Sequence, residues 1–283
     1  MSSTEWGAAI AVAALLAGSA AFLLRRAGRR RLEAERAERL ARLFSAAEEQ
    51  ILDRDFPRWR ALPAGLRQAH AGTTRVLMEE KNYEPCGGLA EVTEEMKLVI
   101  AAQAAILLVG HDSHRFLPHL KSILVYPGGF RDLGSRRFGI DEERRGVLQG
   151  ESWETGSVVL SWESVVAGGR CSDDGINVVI HEIAHQLDQY NSIADGVPKL
   201  AGPADYARWS EVLGRGYREL VEQSKIDEDE PFLDPYGATH PCEFFAVLSE
   251  AFVETPGELL AEHPDLYGEL ASFYGLDPAA WDQ

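Results

Sequence analysis

Apolar residues recur at helical spacing along most of the chain. Residues 32–52 and 66–82 each place apolar side chains on one face and charges on the others, and the proline-containing stretch 56–63 separates them. A third such stretch, 94–110, follows Thr93, which is a good N-cap residue, and it opens with two acidic residues. The pattern therefore predicts several helices packed against a common core.

Two stretches are instead rich in β-branched and aromatic residues. Residues 121–130 (KSILVYPGGF) predict a strand that meets a Pro-Gly-Gly turn, and residues 156–164 (GSVVLSWES) predict a second strand. A loop is predicted over 167–175, and helices are predicted at 177–188 and 242–255. We therefore expect an α+β domain that is mostly helical and has a small sheet.

The N-terminus has a different character. Residues 6–24 contain no charge, and as a helix they would extend about 28 Å, close to the thickness of a bilayer's hydrocarbon core. The arginine-rich stretch 25–31 follows directly, which by the positive-inside rule places everything after it in the cytoplasm. We therefore predict a short tail at 1–5, a transmembrane anchor at 6–24, a basic juxtamembrane helix at 25–54 and a globular domain at 55–283.

Two other interpretations of residues 6–24 stay open. The small residues at 17–20 would suit the cleavage site of a signal peptide, although the basic segment that normally precedes such a peptide is missing. The alanines are only weakly apolar, so the stretch also fits a helix buried in the fold. We favour the anchor because of its length and the arginines that follow it.

Composition and charge exclude some classes of function. The formal net charge is −17, which argues against a general nucleic-acid binder, because phosphate binding needs clustered Lys and Arg. The three cysteines, Cys86, Cys171 and Cys242, are widely spaced and form no CxxC pair. A disulfide scaffold is therefore not expected, and a reducing compartment fits better.

The helix predicted over 177–188 (NVVIHEIAHQLD) carries the chemistry. On a helix, His181 and His185 stack on one face, as a pair of metal ligands would, and Glu182 is placed to reach a water at that metal. This is the HExxH arrangement of zinc peptidases. The alternative is a chance match on a core helix, but two buried imidazoles would then need other partners for their ring nitrogens.

A third ligand must come from elsewhere in the chain. The extended HExxHxxGxxH form is not met, since Asp188 and Asn191 stand where Gly and His are needed. The stretch PCEFFAVLSEAF offers Glu243 and Glu250, seven residues apart on one face of a helix. A buried carboxylate without a partner is costly, which favours a role for them, and two solvated glutamates are the alternative. Asp188 is a further candidate, either holding the second nitrogen of a ligand histidine or lying on the surface.

The other histidines carry less information. The spacing of His111, His114 and His119 could suggest a second metal site, but a solvated loop between a helix and a strand fits better. His240 and His263 receive no role from the sequence.

With these motifs in place, the chain resembles the Mlc titration factor A family of zinc-dependent peptidases, whose catalytic core resembles that of the anthrax lethal factor protease. The resemblance covers about residue 55 to the end. It rests on HExxH, on EFFAVLSEAF about sixty residues later, and on four further stretches: EEMKLVIAAQAA (94–105), SILVYPGGF (122–130), LQGESWETGSVVLSWESVVAGGR (148–170) and ADGVPKL (194–200).

The resemblance implies a zincin-like metallopeptidase fold with one zinc ion. It implies zinc ligands at His181, His185 and Glu243, a catalytic role for Glu182, and a tyrosine facing the site at Tyr236. Members of the family are typically soluble cytosolic proteins, so the predicted anchor is a departure. We expect the protein to be anchored in the bacterial inner membrane with its catalytic domain in the cytoplasm. The alternative is a soluble cytoplasmic protein.

The expected function is hydrolysis of peptide bonds in a peptide or protein substrate, with aminopeptidase-like cleavage as one form of it. Glu182 would be the general base and Tyr236 would stabilise the oxyanion, while the predicted strand 156–164 would pair with extended substrate at the sheet edge. The alternative is a zinc-containing binding protein that sequesters a transcription regulator or another partner at the membrane. A purely structural zinc site is disfavoured, because such sites need no adjacent base.

Overall fold

The computed structural model describes residues 22–28, 30–110, 116–128, 150–153, 156–189, 194–225 and 231–281. Helices account for most of these residues, as the sequence predicts. They are a helical stretch at 22–28, α1 (30–40), α2 (Ala46–Asp55), α3 (Ala64–Glu80), α4 (Glu94–Ile106), α5 (Trp162–Arg170), α6 (Val178–Asp188), α7 (Pro203–Gln223), α8 (Pro241–Glu254), α9 (Pro256–Glu262) and α10 (Pro264–Tyr274), with short 3-10 turns at Pro57–Ala61, Pro235–Ala238 and Pro278–Ala280.

The described residues also form a four-stranded sheet. Its strands are β1 (Asn82–Pro85), β2 (Ser122–Tyr126), β3 (Gly150–Trp153) and β4 (Ser157–Ser161), in the spatial order β1-β2-β4-β3. The pairs β1–β2 and β2–β4 are parallel, whereas β3 and β4 are antiparallel. Helix α4 supplies the crossover between β1 and β2 that a parallel pair requires. The predicted α+β class with a small sheet is confirmed.

The prediction that the strand at 156–164 is an edge strand was wrong in two respects. Strand β4 pairs on both sides, with β2 and with β3, so it lies inside the sheet, and β1 and β3 are the outer strands among the described residues. The strand also ends at Ser161, because the Ser161 hydroxyl accepts a hydrogen bond from the Ser164 amide at 3.3 Å and thereby caps α5. On that side of the described sheet, the outer strand is therefore β3.

Helix α5 extends into the segment predicted as a loop. It runs to Arg170 and includes Gly168 and Gly169, residues that favoured a loop in the sequence. A side chain at position 169 would lie 2.3 Å from the Asp55 carbonyl oxygen and 2.8 Å from the amide nitrogen of Gln103. Glycine is used here so that the helix can approach α2 and α4 closely, which offsets its low helix propensity.

The single helix predicted over 32–52 is interrupted between residues 41 and 45. Ser45 and Glu48 form a reciprocal capping box that starts α2 after the break. Leu52 is fully buried and Phe44 nearly so, and both belong to the hydrophobic core. This part of the predicted juxtamembrane segment 25–54 therefore packs into the folded domain.

The core lies between the sheet, α4, α6 and α8. Helix α8 is buried along nearly its whole length, and Phe245 and Phe252 stack against Tyr274 with ring centroids 6.4 and 5.5 Å apart. Burying an aromatic side chain of this size stabilises the fold by about 1.5–3 kcal/mol. The two helices that carry the HExxH motif and its downstream glutamate thus pack into the hydrophobic core.

The predicted anchor at 6–24 lies almost entirely outside the described residues, which begin at Phe22. Among the residues that the structure does describe, no helix has both the length and the apolar composition needed to cross a bilayer. The anchor and the inner-membrane location therefore stay predictions. The three cysteines are free, as the sequence indicated, with Cys242 buried and Cys171 exposed.

Candidate metal centre

Helix α6 carries the HExxH motif and begins at a strong cap. The Asn177 side-chain oxygen accepts hydrogen bonds from the amides of Val179 and Ile180, both at 3.1 Å. The apolar residues of α6 are buried as predicted, except that Ile176, which precedes the cap, is half exposed. The helix is therefore fixed at its N-terminal end and by its apolar faces, which leaves His181, Glu182 and His185 in defined positions.

Helix α8 brings the third ligand candidate. Its cap is His240, which accepts a hydrogen bond from the Cys242 amide at 3.3 Å, and Pro241 occupies the first helical position. Glu243 therefore lies in the first turn, where the partial positive charge of the helix N-terminus favours a carboxylate.

Three side chains from the two helices converge. Oε2 of Glu243 lies 3.1 Å from Nε2 of His181 and 3.2 Å from Nε2 of His185, and the two Nε2 atoms are 3.2 Å apart. Ligands at 2.0–2.1 Å from a tetrahedral ion are separated by about 3.3 Å, so this triangle has the dimensions of three zinc ligands. Two imidazoles and one carboxylate are also a donor set typical of catalytic zinc. The residues therefore fit the metal that the family implies.

Glu250 lies behind His181 and does not join the triangle. Its Oε1 is 2.7 Å from Nδ1 of His181, and its Oε2 accepts a hydrogen bond from the Asn177 amide. A carboxylate at this nitrogen favours the tautomer that carries the proton on Nδ1, which leaves the lone pair of Nε2 available to a metal ion. The geometry thus places the two glutamates differently, with Glu243 at the centre and Glu250 as the outer partner of a histidine.

Charge and burial shape the centre. The side chains of His181, His185 and Glu243 are only 15, 10 and 10 % exposed, so the site is shielded without being sealed. Burial opposes ionisation of Glu243, but the two histidines outweigh it and hold the pKa of that carboxyl well below its usual value. Burial also opposes protonation of His181, but Glu250 and Glu243 outweigh it and raise the pKa of that imidazole well above its usual value. The pocket therefore stabilises positive charge between two carboxylates, as a cation site must.

Asp188, a candidate partner of a ligand histidine, is hydrogen-bonded to the segment that follows α6. It is fully buried, and its Oδ2 accepts a hydrogen bond from the Gly196 amide at 2.9 Å. The Gly196 carbonyl in turn accepts a hydrogen bond from the Trp209 indole at 2.9 Å. Burial raises the pKa of Asp188 to about 6. Asp188 therefore fastens the segment at 194–200 to the end of α6, and no hydrogen bond to a histidine is seen among the described residues.

Glu182 and Tyr236 lie beside the triangle. Glu182 is 3 % exposed and follows His181 directly on α6. Tyr236 is half buried, and its ring centroid lies 6.1 Å from that of His181. A 3-10 turn holds it, in which the Asp234 carboxylate accepts a hydrogen bond from the Tyr236 amide at 2.8 Å. The tyrosine that only the family resemblance pointed to thus lies next to a ligand candidate.

The remaining histidines that the structure describes lie outside this centre. His111 and His114 fall outside the described residues, so the predicted solvated loop stays a prediction. His240 serves as the cap of α8. His70, which sequence reasoning passed over, is fully buried and forms a 2.8 Å hydrogen bond with the Ala102 carbonyl, and burial lowers its pKa to about 4. Among the described residues, the only cluster able to hold a metal ion is His181, His185 and Glu243.

Comparisons with known proteins point the same way. An uncharacterized protein of Synechocystis sp. is 38% identical over 81% of this chain and 84% of its own length. Mlc titration factor A of Serratia proteamaculans is 34% identical over 72% of this chain and 78% of its own, and that of Cronobacter sakazakii is 31% identical over 71% and 76%. The predicted resemblance to Mlc titration factor A is therefore confirmed.

The family match covers most of the chain. The model of the glucose-regulated metallo-peptidase M90 family matches residues 28–275, a span that contains both helices of the centre and the turn that carries Tyr236. The chain belongs to the glucose-regulated metallo-peptidase M90 family.

Proposed function

We propose that this protein is a zinc-dependent peptidase that hydrolyses bonds in a peptide or protein substrate. The observation that carries the proposal is the convergence of His181, His185 and Glu243 from α6 and α8, with Glu182 next to His181 on the same helix. A site built only for structure would need a fourth protein ligand and no adjacent base. The membership of a metallo-peptidase family supports the same reaction class.

In this proposal His181, His185 and Glu243 would hold one zinc ion. The ion supplies Lewis acidity toward water and toward a peptide carbonyl when it is bound. Glu250 keeps His181 in the tautomer whose Nε2 is available, because its carboxylate accepts the Nδ1 proton of the ring. The three ligands carry one negative charge in total, so the centre keeps the net positive charge that polarises a carbonyl.

Glu182 is the proposed general base. It takes a proton from the attacking water and returns it to the leaving amine, a role worth about 10²–10⁴-fold in rate. Tyr236 is the proposed oxyanion donor, with its phenolic hydroxyl donating to the developing negative charge, which contributes about 10²–10³-fold. The shielded position of Glu182 and the ring of Tyr236 beside His181 support these assignments.

The substrate path is proposed along β3. This strand is the antiparallel edge of the sheet and lies against α6, so an extended peptide paired with it would pass close to His181 and His185. Pairing through main-chain hydrogen bonds gives affinity with little sequence preference. Aminopeptidase-like cleavage is the narrower form of the proposal, and a free amino terminus in every good substrate would be its signature.

The test is hydrolysis of a mixed peptide library by full-length native protein and by the Glu182→Gln variant. Glutamine keeps the size of the side chain but cannot accept the proton, so we expect cleavage to fall by about 10²–10⁴-fold while zinc stays bound. The matched control is Glu258→Gln on the exposed surface of α9, which should cleave like the native protein. Full activity of Glu182→Gln would overturn the mechanism.

A second candidate function is capture of a regulator. It is favoured by the relatives named Mlc titration factor A, whose name refers to another protein, Mlc, and to no substrate. The Glu182→Gln variant separates the two functions, because binding of a partner would survive the substitution and hydrolysis would not. We further propose that residues 6–24 anchor the chain in the bacterial inner membrane with the catalytic domain in the cytoplasm, with a soluble cytoplasmic protein as the alternative.

A further inference from the structure

Helix α8 directs three glutamates toward α6. Glu243, Glu250 and Glu254 are spaced by seven and four residues, which places them on one helical face. All three are buried: taken over the whole residue, backbone included, 7, 6 and 3 % of the surface is exposed. Glu243 meets the two histidines and Glu250 meets His181, whereas Glu254 lies beyond the metal centre and has no part in the proposed reaction.

Glu254 reaches the residue that starts α6. Its Oε1 accepts a hydrogen bond from the side-chain amide of Asn177 at 3.1 Å. Asn177 is fully buried, and its backbone amide donates to Oε2 of Glu250 at 2.5 Å, while its carbonyl accepts from the His181 amide at 2.9 Å. Its side-chain oxygen is the cap of α6. Asn177 therefore joins both outer glutamates of α8 to the first turn of α6 and to His181.

This arrangement bears on the metal centre through the register of the two helices. A slide of one residue along α6 displaces its side chains by 1.5 Å, whereas metal ligands must lie within about 0.2 Å of their ideal distances. Apolar packing alone does not fix a helix that closely, because neighbouring side chains adjust to small shifts. Directional hydrogen bonds at the first turn of α6 fix its position more closely. Gly168 adds a close backbone contact, since a side chain there would lie 3.1 Å from Cα of Asn177.

We infer that Asn177 and Glu254 are positioning residues, which set the register of α6 on α8 so that His181 and Glu243 converge on one ion. The inference rests on the proposed function, because it concerns the same zinc site. Neither residue contacts the ligand atoms; both act through Glu250 and through the backbone of α6.

The surroundings of Glu254 say which property of its side chain matters. Burial raises the pKa of Glu254 to about 8, so the neutral acid is the main form at neutral pH. Its second oxygen is buried and has no hydrogen-bond partner among the described residues. The contact with Asn177 thus needs a hydrogen-bond acceptor and no negative charge. Glutamine at this position should serve as well, whereas leucine should not.

The test is the zinc affinity of the full-length protein, measured by competition with a chromophoric chelator. Glu254→Leu removes the acceptor at similar volume, and Asn177→Ser keeps a capping hydroxyl but is too short to reach Glu254. We expect each to weaken zinc binding about 10-fold, the lower end of what outer partners of metal ligands contribute. Glu254→Gln should keep the native affinity. Native affinity in both Glu254→Leu and Asn177→Ser, or a loss in Glu254→Gln equal to that in Glu254→Leu, would overturn the inference.

Ser249→Ala is the matched control for a general loss of stability. Ser249 is fully buried on α8, but its hydroxyl is hydrogen-bonded to the Phe245 carbonyl and to the Tyr274 hydroxyl, both at 2.7 Å, and neither partner belongs to α6. This variant should unfold at a lower temperature in the metal-free state and still bind zinc as the native protein does. If it loses as much affinity as Glu254→Leu, the effect is nonspecific and the inference fails.

The zinc-affinity measurement also distinguishes a failure of this inference from a failure of the proposed function. Zinc binding by the native protein with equal affinity in Glu254→Leu would remove the positioning role and leave the peptidase proposal intact. No zinc binding by the native protein would remove both. Native zinc binding that is weakened in the two variants, in a protein that cleaves no peptide, would leave the positioning role and remove the peptidase.

Discussion

Oε2 of Glu243 lies 3.1 Å from Nε2 of His181, although 62 residues separate the two in the chain. The contact exists only when α6 and α8 are packed against each other, so the ligand triangle is a property of the folded core. An unfolded chain would offer His181 and His185 alone. We therefore expect zinc binding and folding to be coupled, with much of the binding free energy appearing as stability.

Removal of the metal should lower stability measurably. A ligand present at 100 times its dissociation constant adds about 2.7 kcal/mol to the free energy of unfolding. We expect the midpoint of thermal unfolding to fall when a chelator strips the native protein and to recover when zinc is returned. The His181→Ala variant should show no difference between the two conditions. An equal response to the chelator in that variant would mean that the metal binds elsewhere.

Substitution of Tyr236 by phenylalanine should slow catalysis without loss of zinc. The ring and its packing beside His181 are kept, and only the hydroxyl is removed. We expect kcat to fall by about 10²–10³-fold with little change in KM, since an oxyanion donor acts in the transition state. The control is Tyr267→Phe, whose hydroxyl meets Asp277 and Ala279 near the C-terminus and should leave kcat unchanged. A native kcat in Tyr236→Phe would remove this residue from the mechanism.

Alanine at Gly196 should disturb the metal centre from a distance. Gly196 has a φ of +78°, and a side chain there would lie 2.5 Å from the Pro241 carbonyl at the start of α8. Strain of this kind costs about 1–3 kcal/mol, and displacement of α8 should weaken zinc binding as well. Gly257→Ala is the control, because nothing lies within 4 Å of its added methyl group. Chemical denaturation and zinc titration of both variants measure the two effects; native stability and native zinc affinity in Gly196→Ala would contradict the close packing of Gly196 against the start of α8.

Stability should fall as the pH rises because of Glu254. Its pKa is raised to about 8 in the folded protein from an ordinary value of 4.5, so the folded state holds a proton that the unfolded state loses first. The contribution is fully present below pH 4.5 and is lost as the pH passes through about 8, at about 1.4 kcal/mol per unit between them. Glu254→Gln stays neutral and escapes this loss. Urea unfolding of metal-free protein should show that the free energy of unfolding of the variant, relative to that of the native protein, is higher at pH 9 than at pH 5. The same difference between the two proteins at both pH values would contradict the raised pKa.

Much of the site could be predicted from the sequence because its signals are local. The spacing of His181, Glu182 and His185 and the apolar residues around them require only a helix, and Thr93 caps α4 as predicted. The capping box of Ser45 and Glu48 is an equally local signal, and it predicts that a new helix begins there, within the single helix predicted over 32–52.

Other features depend on contacts between distant elements. The distinct positions of Glu243 and Glu250 follow from how α8 crosses α6, which no spacing within α8 reveals. Asp188 is a candidate partner of a histidine by its position on the helix, and its hydrogen bond with the Gly196 amide, eight residues further along the chain, has no signal in the sequence. Gly169 favours a loop in the sequence, but in the structure it lies within a helix, because Asp55 and Gln103 approach too closely for any larger residue. The place of β4 inside the sheet likewise depends on β3, which carries no strong pattern of its own.

The most direct test of the central claim is zinc per chain, measured by elemental analysis of purified full-length protein. The account predicts about one zinc in the native protein and in Glu258→Gln, and a large loss in Glu243→Gln, since the amide cannot replace the carboxylate that joins both histidines. A native protein without zinc, or a Glu243→Gln variant that retains it fully, would contradict the three-residue centre.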